Sequence, residues 1–218
     1  MKLLLTSNGL CNKSISDALF ELVGKPASET HISFIPTAMN VDDHNKTWFI
    51  NDLSNIGKQG CMFVDVVDIS AMPAEMWKPR LEVADVLFFS GGVTPHLMRW
   101  MTESGLEKML PDLLKTKVYV GISAGTIVTN PTLAVSSEDK KIAYKEATGY
   151  TREEALNLVD FYIRPHYNSP IFPNIRKPWV EKMAKKLKKT VYGIDDQSAL
   201  KVVDGKVEVI TEGEWVKV

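Results

Sequence analysis

The stretch Val118-Tyr119-Val120-Gly121-Ile122-Ser123-Ala124-Gly125 joins an apolar run to a Gly-x-Ser-x-Gly pattern. The apolar run predicts a buried strand, and the small residues after it predict a sharp turn from that strand into a helix. Such a turn strains the backbone at the serine, and small neighbours let the chain pass closely enough to leave the hydroxyl exposed. The stretch therefore predicts an α/β protein in which Ser123 is a candidate nucleophile.

The rest of the chain alternates short apolar runs with longer segments of helical period. The sequence predicts strands at residues 3–6, 31–35, 62–67, 86–89, 118–120, 161–163, 191–193, 199–203, 206–211 and 215–218. It predicts helices at residues 12–23, 42–56, 94–101, 106–114 and 180–188. This alternation is typical of a mostly parallel central sheet with helices on both faces, and we expect a single domain over residues 1–218. The polar, poorly patterned segment 129–150 is a candidate for a mobile cover over a site.

The composition favours a small-molecule or short-peptide ligand. The 218 residues include 26 basic and 27 acidic side chains, so no overall field attracts nucleic acid or an acidic membrane. The two cysteines, Cys11 and Cys61, have no metal-ligand spacing and form no disulfide framework. The apolar run near the N-terminus, Leu3 to Leu5, is too short for a signal peptide or a membrane span. We therefore expect a cytoplasmic protein, a monomer or a homodimer, with no metal or cofactor.

A serine nucleophile needs a base within hydrogen-bond reach, and the chain has four histidines. His31 lies at a predicted strand and His44 in a polar stretch, so structural or exposed positions are expected for both. His96 follows a glycine pair at the start of a predicted helix. His166 follows the end of a predicted strand, and ligands of open α/β sheets bind where strands end. We therefore predict that His166 is the base.

The strand at residues 86–89 ends in Ser90-Gly91-Gly92. Backbone N–H groups at the glycines are not obstructed by side chains, so they suit the binding of a developing oxyanion. In a Gly-x-Ser-x-Gly turn the second N–H comes from the residue after the serine, here Ala124. A tight turn is the alternative role for the glycine pair, and the two roles are compatible.

Four stretches taken together resemble a known family. They are Phe34-Ile35-Pro36-Thr37-Ala38, Phe89-Ser90-Gly91-Gly92-Val93-Thr94, Gly121-Ile122-Ser123-Ala124-Gly125 and Arg164-Pro165-His166-Tyr167. In order and approximate spacing they resemble the S51 serine peptidases, the family of dipeptidase E and cyanophycinase, over nearly the whole chain. The resemblance implies a fold similar to the class I glutamine amidotransferase domain, a flavodoxin-like three-layer sandwich.

The resemblance also implies roles for individual residues. Ser123 would be the nucleophile and His166 the general base. The N–H groups of Gly92 and Ala124 would form the oxyanion hole. No metal or organic cofactor is implied.

The third member of the triad is a carboxylate that orients the histidine. Counting from the serine as in dipeptidase E reaches Glu138, which we expect first, with the neighbouring Asp139 second. Asp160 and Asp195 are outside candidates. His166 is followed by Tyr167-Asn168, so the His-x-Glu arrangement of the amidotransferases is absent.

The predicted substrate-binding residues are Gly91, Val93 and Thr94 in the glycine-rich loop, together with Arg164. The loop departs from the Gly-Gly-Gly-Asn-Thr sequence of dipeptidase E, because apolar Val93 stands where that family has an asparagine. Arg164, with Arg176 and Lys177 nearby in the sequence, offers a cation to an acidic substrate side chain.

These predictions describe acyl transfer to water by a serine peptidase acting on a short peptide or an amino-acid derivative. One alternative is an α/β-hydrolase esterase, which shares the serine pattern. Only 95 residues follow Ser123, and a His-Gly-Gly-Gly loop is missing, so this alternative is disfavoured. The other alternative is a non-catalytic small-molecule-binding protein with an incomplete triad.

Overall fold

The computed structural model describes all residues from 1 to 218. Its strands are β1 Lys2–Thr6, β2 His31–Ile35, β3 Phe63–Val66, β4 Val86–Phe89, β5 Val118–Ile122, β6 Tyr162–Arg164, β7 Val191–Ile194, β8 Ser198–Val203, β9 Lys206–Thr211 and β10 Trp215–Lys217. Its helices are α1 Lys13–Val23, α2 Thr47–Gly57, α3 Ala74–Val83, α4 Thr94–Glu103, α5 Leu106–Leu113, α6 Ala124–Ile127, α7 Glu138–Thr148 and α8 Lys177–Leu187.

The central sheet has seven strands in the order β3-β2-β4-β5-β1-β8-β9. The first five run parallel, whereas β8 and β9 are antiparallel to their neighbours. A second, three-stranded sheet has the order β10-β7-β6. The expected mostly parallel sheet with helices on both faces is confirmed. Because parallel strands leave their carboxyl ends on one edge, the loops after β1, β4 and β5 meet there.

The two faces of the central sheet have separate apolar cores, because successive side chains of a strand point in opposite directions. Leu4 and Val120 belong to the core under α1. Leu5 and Tyr119 belong to the core that α3, α4 and α5 share on the other face. Both faces of the central strands are thereby buried, as continuous apolar runs predict for a parallel sheet.

The structure contains two helices that the sequence pattern did not predict. Helix α3 buries only Trp77 and Leu81, and α7 buries only Tyr144, so neither has a recognisable apolar stripe. Helix α7 occupies much of the segment that was expected to be a mobile cover. Helix α2 begins five residues later than predicted, at Thr47. The carboxylate of Asp42 holds the preceding loop, because it accepts hydrogen bonds from the N–H of His44 and from Lys140.

No helix has both the length and the apolar character that a membrane span requires.

Candidate active site

Ser123 lies between β5 and α6 with φ 46° and ψ −99°, a region that non-glycine residues rarely adopt. The neighbouring glycines are required by close backbone approach. A Cβ on Gly121 would lie 2.6 Å from the Gly125 carbonyl carbon, and a Cβ on Gly125 would overlap the Phe89 carbonyl. The small residues of the sequence pattern therefore permit a sharp, strained turn that carries the serine, as predicted.

His166 follows β6, itself with a positive φ of 62°. Its Nε2 lies 2.9 Å from Ser123 Oγ, within hydrogen-bond distance. The imidazole stacks on Phe172, with ring centroids 4.8 Å apart and an interplanar angle of 18°. The structure thus brings together the predicted nucleophile and base. His96, in contrast, is buried and hydrogen-bonds Tyr144 away from this pair.

The carboxylate beside His166 is Asp196, in the turn between β7 and β8. Its Oδ1 lies 2.6 Å from His166 Nδ1. Fully buried Ser7, at the end of β1, donates its hydroxyl to the same Oδ1 at 2.7 Å. Ser7 Oγ also accepts a hydrogen bond from the His166 N–H at 2.9 Å. Ser7 thereby links the Asp196 carboxylate to the backbone of His166 through two hydrogen bonds.

The pKa of Asp196 is set by two opposing effects. Burial raises it, whereas the hydrogen bonds from His166 and Ser7 lower it, and the net result is a pKa below the ordinary aspartate value. The carboxylate therefore stays ionised at neutral pH. An ionised group at this position holds the Nδ1 proton of the imidazole and leaves Nε2 free to accept the proton of Ser123.

The sequence expectation for the third acid is corrected. Glu138 and Asp139 lie in the first turn of α7, where the Glu138 side chain is 71% exposed and pairs with Lys141. Neither carboxylate hydrogen-bonds His166. Counting from the serine failed because the chain after α6 forms a 3₁₀ turn and α7, which take the acidic pair away from the imidazole.

The two outside candidates also have other positions. Asp195 accepts hydrogen bonds from Ser198 Oγ and from the N–H of Glu214, so it stabilises the turn before β8. Asp160 is exposed before β6. Asp196 could have been found by the same rule as His166, because it too follows a predicted strand. Ser7, which also follows a strand, carried the same signal.

Two backbone N–H groups near Ser123 have no acceptor of their own. The N–H of Gly92 makes no hydrogen bond within the protein. Ala124 is the first residue of α6, so its N–H has no partner inside the helix. Gly92 has φ 134°, and a Cβ there would overlap the Ala38 carbonyl, so only glycine fits. Both donors are available to a bound oxygen atom.

A cleft beside Ser123 is lined by residues from several loops and by the first turns of α4 and α7. They are Gly92, Thr94, Pro95, Ser123, Ile127, Ser136, Ser137, Lys140, Arg164, His166 and Phe172. Two buried polar atoms of this lining, Arg164 Nε and Ser136 Oγ, have no hydrogen-bond partner. Such atoms are costly unless a ligand or water satisfies them.

Arg164 is 4% exposed, and its guanidinium carbon lies over the rings of Phe172 and Trp179, at 5.4 and 5.7 Å from their centroids. One guanidinium nitrogen donates to the Val135 carbonyl at 3.0 Å. Burial lowers the pKa of Arg164 to about 10, so the side chain remains a cation at neutral pH. No carboxylate of the protein pairs with it.

The structure does not bring all predicted binding residues to the cleft. Val93 is buried with its N–H bonded to the Ala38 carbonyl, and it does not line the cleft. Gly91 lies beside the serine but does not line the cleft. A Cβ on Gly91 would lie 3.5 Å from Ser123 Cβ and 3.4 Å from the Trp48 side chain. Arg176 caps carbonyls of its own loop, including that of Phe172.

The fold and the site define a class of α/β protein in which a serine on a strand-to-helix turn faces a histidine and a carboxylate. Comparison with known proteins gives the family. The model of peptidase family S51 matches residues 3–210 of the chain. The chain belongs to peptidase family S51.

Individual relatives agree with this assignment. The chain is 31% identical to the uncharacterized peptidase Lmo0363 of Listeria monocytogenes, over 83% of this chain and 85% of that protein. It is 31% identical to peptidase E of Nostoc sp. PCC 7120, over 58% of this chain and 52% of that protein. A crystal structure of a Listeria monocytogenes EGD-e protein assigned to peptidase E superposes with a TM-score of 0.78 at 25% identity, covering 97% and 98% of the two chains.

Proposed function

We propose that this protein is a serine peptidase of the dipeptidase E type, which hydrolyses short peptides through Ser123, His166 and Asp196. The observation that carries the proposal is the unbroken hydrogen-bond series from Ser123 Oγ to Asp196 Oδ1, at 2.9 and 2.6 Å around one imidazole. That series has the geometry of a nucleophile, its base and the group that orients the base.

In the acylation half-reaction, Ser123 Oγ attacks the carbonyl carbon of the scissile peptide bond and His166 Nε2 takes the hydroxyl proton. The carbonyl oxygen gains negative charge as its double bond opens. The N–H groups of Gly92 and Ala124 stabilise that oxyanion. The tetrahedral intermediate then expels the amine, which receives the proton from His166, and an acyl ester remains on Ser123.

In the deacylation half-reaction, water takes the place of the released amine. His166 Nε2 accepts a proton from the water as its oxygen attacks the ester carbonyl, and the same proton returns to Ser123 Oγ as the ester breaks. Asp196 keeps the imidazole oriented and stabilises the imidazolium formed in each half-reaction. The products are a carboxylate and the free enzyme.

The cleft is the proposed binding site for the side chain of the residue that supplies the scissile carbonyl. Arg164 and Ser136, both in its lining, each have one buried polar atom without a partner, and Thr94 and Lys140 add further polar side chains. Lys140 already pairs with Asp42 at 2.7 Å, so Arg164 is the cation free to bind an acidic group. A substrate carboxylate or another acceptor would satisfy these donors.

The direct test is hydrolysis of a dipeptide panel that differs in the first residue, with aspartate, alanine and lysine represented. Ser123→Ala should lower kcat by roughly 10³ to 10⁶ while the fold is retained. Ser54→Ala, at an exposed serine of α2, is the matched control and should leave kcat unchanged. Equal turnover in wild type and Ser123→Ala, with contaminating peptidases excluded, would overturn the proposal.

A serine-directed fluorophosphonate gives a second readout that does not depend on the substrate. The probe should label Ser123 alone, and His166→Ala should slow the labelling because Ser123 then lacks its base. An aryl-ester assay run beside the dipeptide panel separates a peptidase from an esterase. Absence of labelling, together with saturable binding of an amino-acid derivative, would indicate a non-catalytic binding protein instead.

A further inference from the structure

The loop that carries His166 also brings an aromatic ring to the active site. Residues 165–176 join β6 to α8, and Phe172 of this loop is half-buried in the lining of the cleft. Its ring lies on the imidazole of His166, with the two centroids 4.8 Å apart and the ring planes 18° from parallel. No step of the proposed reaction uses this ring, although it contacts the base.

Three successive hydrogen-bonded turns set the backbone position of Phe172. In each turn an N–H donates to the carbonyl three residues earlier, and the turns run from His166 to Ser169, from Ser169 to Phe172 and from Phe172 to Ile175. Pro170 and Pro173 stand at the second position of the last two turns, where the fixed φ of proline is favourable. Arg176 donates a further hydrogen bond to the Phe172 carbonyl at 3.1 Å. Phe172 therefore has a defined backbone position relative to the histidine.

The stacked ring restrains the imidazole in a way that its hydrogen bonds do not. The bonds that join Nδ1 to Asp196 and Nε2 to Ser123 lie at the edge of the imidazole. Rotation of the imidazole about the line through its two nitrogens changes neither of these distances, so the bonds resist small rotations of this kind only weakly. A ring packed on the face of the imidazole opposes them by direct contact. Phe172 therefore keeps the Nε2 lone pair directed at Ser123 Oγ.

The face of Phe172 also suits the charge that forms on His166. The imidazole becomes an imidazolium in each half-reaction. The face of an aromatic ring carries negative partial charge and attracts a cation that lies over it. The contact between the two rings is therefore stronger when the imidazolium forms than in the resting enzyme, and an interaction of that kind accelerates a reaction.

We propose that Phe172 is a positioning residue for His166: its ring holds the imidazole in the plane in which Nε2 faces Ser123, and it stabilises the imidazolium as this forms. This role rests on the proposed serine peptidase mechanism. A ring with a purely structural role would support the loop and leave the imidazole unaffected. The two roles therefore differ in whether the effect of Phe172 requires the imidazole.

Phe172→Leu tests this role, because leucine keeps an apolar side chain in the cleft but has no ring face. We expect a neutral fluorophosphonate to label Ser123 about three- to tenfold more slowly in this variant. A neutral probe is used because Phe172 also contacts Arg164, the cation proposed to bind an acidic substrate. Phe172→Tyr keeps the ring and should recover most of the rate. Phe20→Leu, at a half-buried phenylalanine of α1, is the matched control and should be labelled as fast as the wild type.

Nuclear magnetic resonance measures the stacking itself, without any reaction. Protons over the face of an aromatic ring are shielded by its ring current, so the imidazole C–H signals of His166 should lie upfield in the wild type. These signals are identified by their absence in His166→Ala. Phe172→Leu should move them downfield, whereas Phe20→Leu should leave them in place. Signals that stay in place in Phe172→Leu would mean that the two rings do not stack in solution, and the proposal would then be wrong whatever the labelling rates.

A double-mutant cycle with His166→Ala shows whether the ring acts through the imidazole. Without an imidazole the ring has nothing to orient, so Phe172→Leu should not slow the residual labelling of His166→Ala any further. The same fold-loss in both backgrounds would overturn the proposal, because the ring would then act on the fold or on the probe. Labelling of Phe172→Leu at the wild-type rate would overturn it as well. A wild type that is not labelled at all would instead contradict the proposed function of Ser123, on which this role depends.

Discussion

Asp196 and Asp52 both lie against one loop, the β1–α1 connection, and their surroundings differ. Asp196 accepts hydrogen bonds from His166 and from Ser7 of that loop. Asp52, on α2, is 4% exposed and lies against Gly9 of the same loop, where no donor reaches it. The pKa of Asp196 is lowered, whereas burial raises the pKa of Asp52 to about 7.

The difference shows that burial does not determine the charge state of a carboxyl group; the available donors do. Two donors on one oxygen keep Asp196 ionised in spite of partial burial. Without a donor, Asp52 favours its neutral form, and ionisation above neutral pH costs free energy of folding. The same loop thus contacts both a carboxylate suited to orienting a histidine and a carboxyl group that makes stability depend on pH.

Asp196→Asn removes the carboxylate beside His166 and should have the largest effect. The amide can donate a hydrogen to His166 Nδ1, so the imidazole proton moves to Nε2, which can then no longer accept the proton of Ser123. We expect kcat to fall by about 10² to 10⁴ with a folded protein. Steady-state kinetics with a folding control by circular dichroism would measure this. A loss of less than twofold would remove Asp196 from the triad.

Asp52→Asn removes the buried carboxyl group that has no donor, and its effect is on stability. The pKa of Asp52 is raised in the folded state. The stability that the neutral carboxyl group allows is therefore complete below the unfolded-state pKa and is lost as the pH rises towards 7. An amide removes this loss. Above pH 7 the variant should be more stable by up to about 4 kcal/mol, and the gain should vanish near pH 4.

Urea denaturation at several pH values measures this gain. Asp160→Asn, at an exposed aspartate, is the matched control and should change the free energy of unfolding little at any pH. A gain of equal size at pH 4 and pH 8 would contradict the raised pKa of Asp52, because an effect of packing alone does not depend on protonation.

The sequence predicted those parts of the fold and site that depend on local pattern. The turn around Ser123 was predictable because backbone crowding there demands small residues, which leave a readable pattern. His166 was predictable from the rule that ligand sites form where strands end. Both arguments concern a residue and its immediate neighbours.

Asp196 was not predicted because its role depends on a long-range contact, 30 residues after His166 in the chain. The sequence offers Asp195 and Asp196 side by side, and only the turn geometry before β8 decides which carboxylate faces the imidazole. Ser7, 159 residues before His166, has the same difficulty. Helix α7 was missed for a different reason, because a helix that buries one large side chain has no apolar period.

Ser7→Ala gives Asp196 surroundings closer to those of Asp52, because the carboxylate loses a donor. The variant removes one donor from the carboxylate, so the pKa of Asp196 should rise, and the loss of kcat that follows protonation of this carboxylate should begin at a higher pH. It also leaves the His166 N–H without an acceptor. We expect kcat to fall about tenfold, the cost of one hydrogen bond to a charged group, with little change in KM.

Ser198→Ala is the control for a merely structural role of Ser7. Ser198 is also fully buried and donates to a neighbouring aspartate, Asp195, at 2.5 Å, but it does not touch His166. Its loss should lower stability and leave the pH profile in place. If Ser7→Ala and Ser198→Ala gave the same profile, Ser7 would have no part in positioning the histidine and its carboxylate.

Glu138→Gln is the smallest change and separates the acid expected from the sequence from the acid seen in the structure. Glu138 is 71% exposed, and its contact with Lys141, at 3.8 Å, is a surface ion pair of little energetic weight. We expect kcat to stay within about twofold of wild type, against the loss of about 10² or more in Asp196→Asn. Both variants exchange a carboxylate for an amide of the same shape, so a difference between them reports the position of the charge. If instead Glu138→Gln were the more damaging, α7 would have to move in the working enzyme so that Glu138 replaces Asp196 at His166 Nδ1.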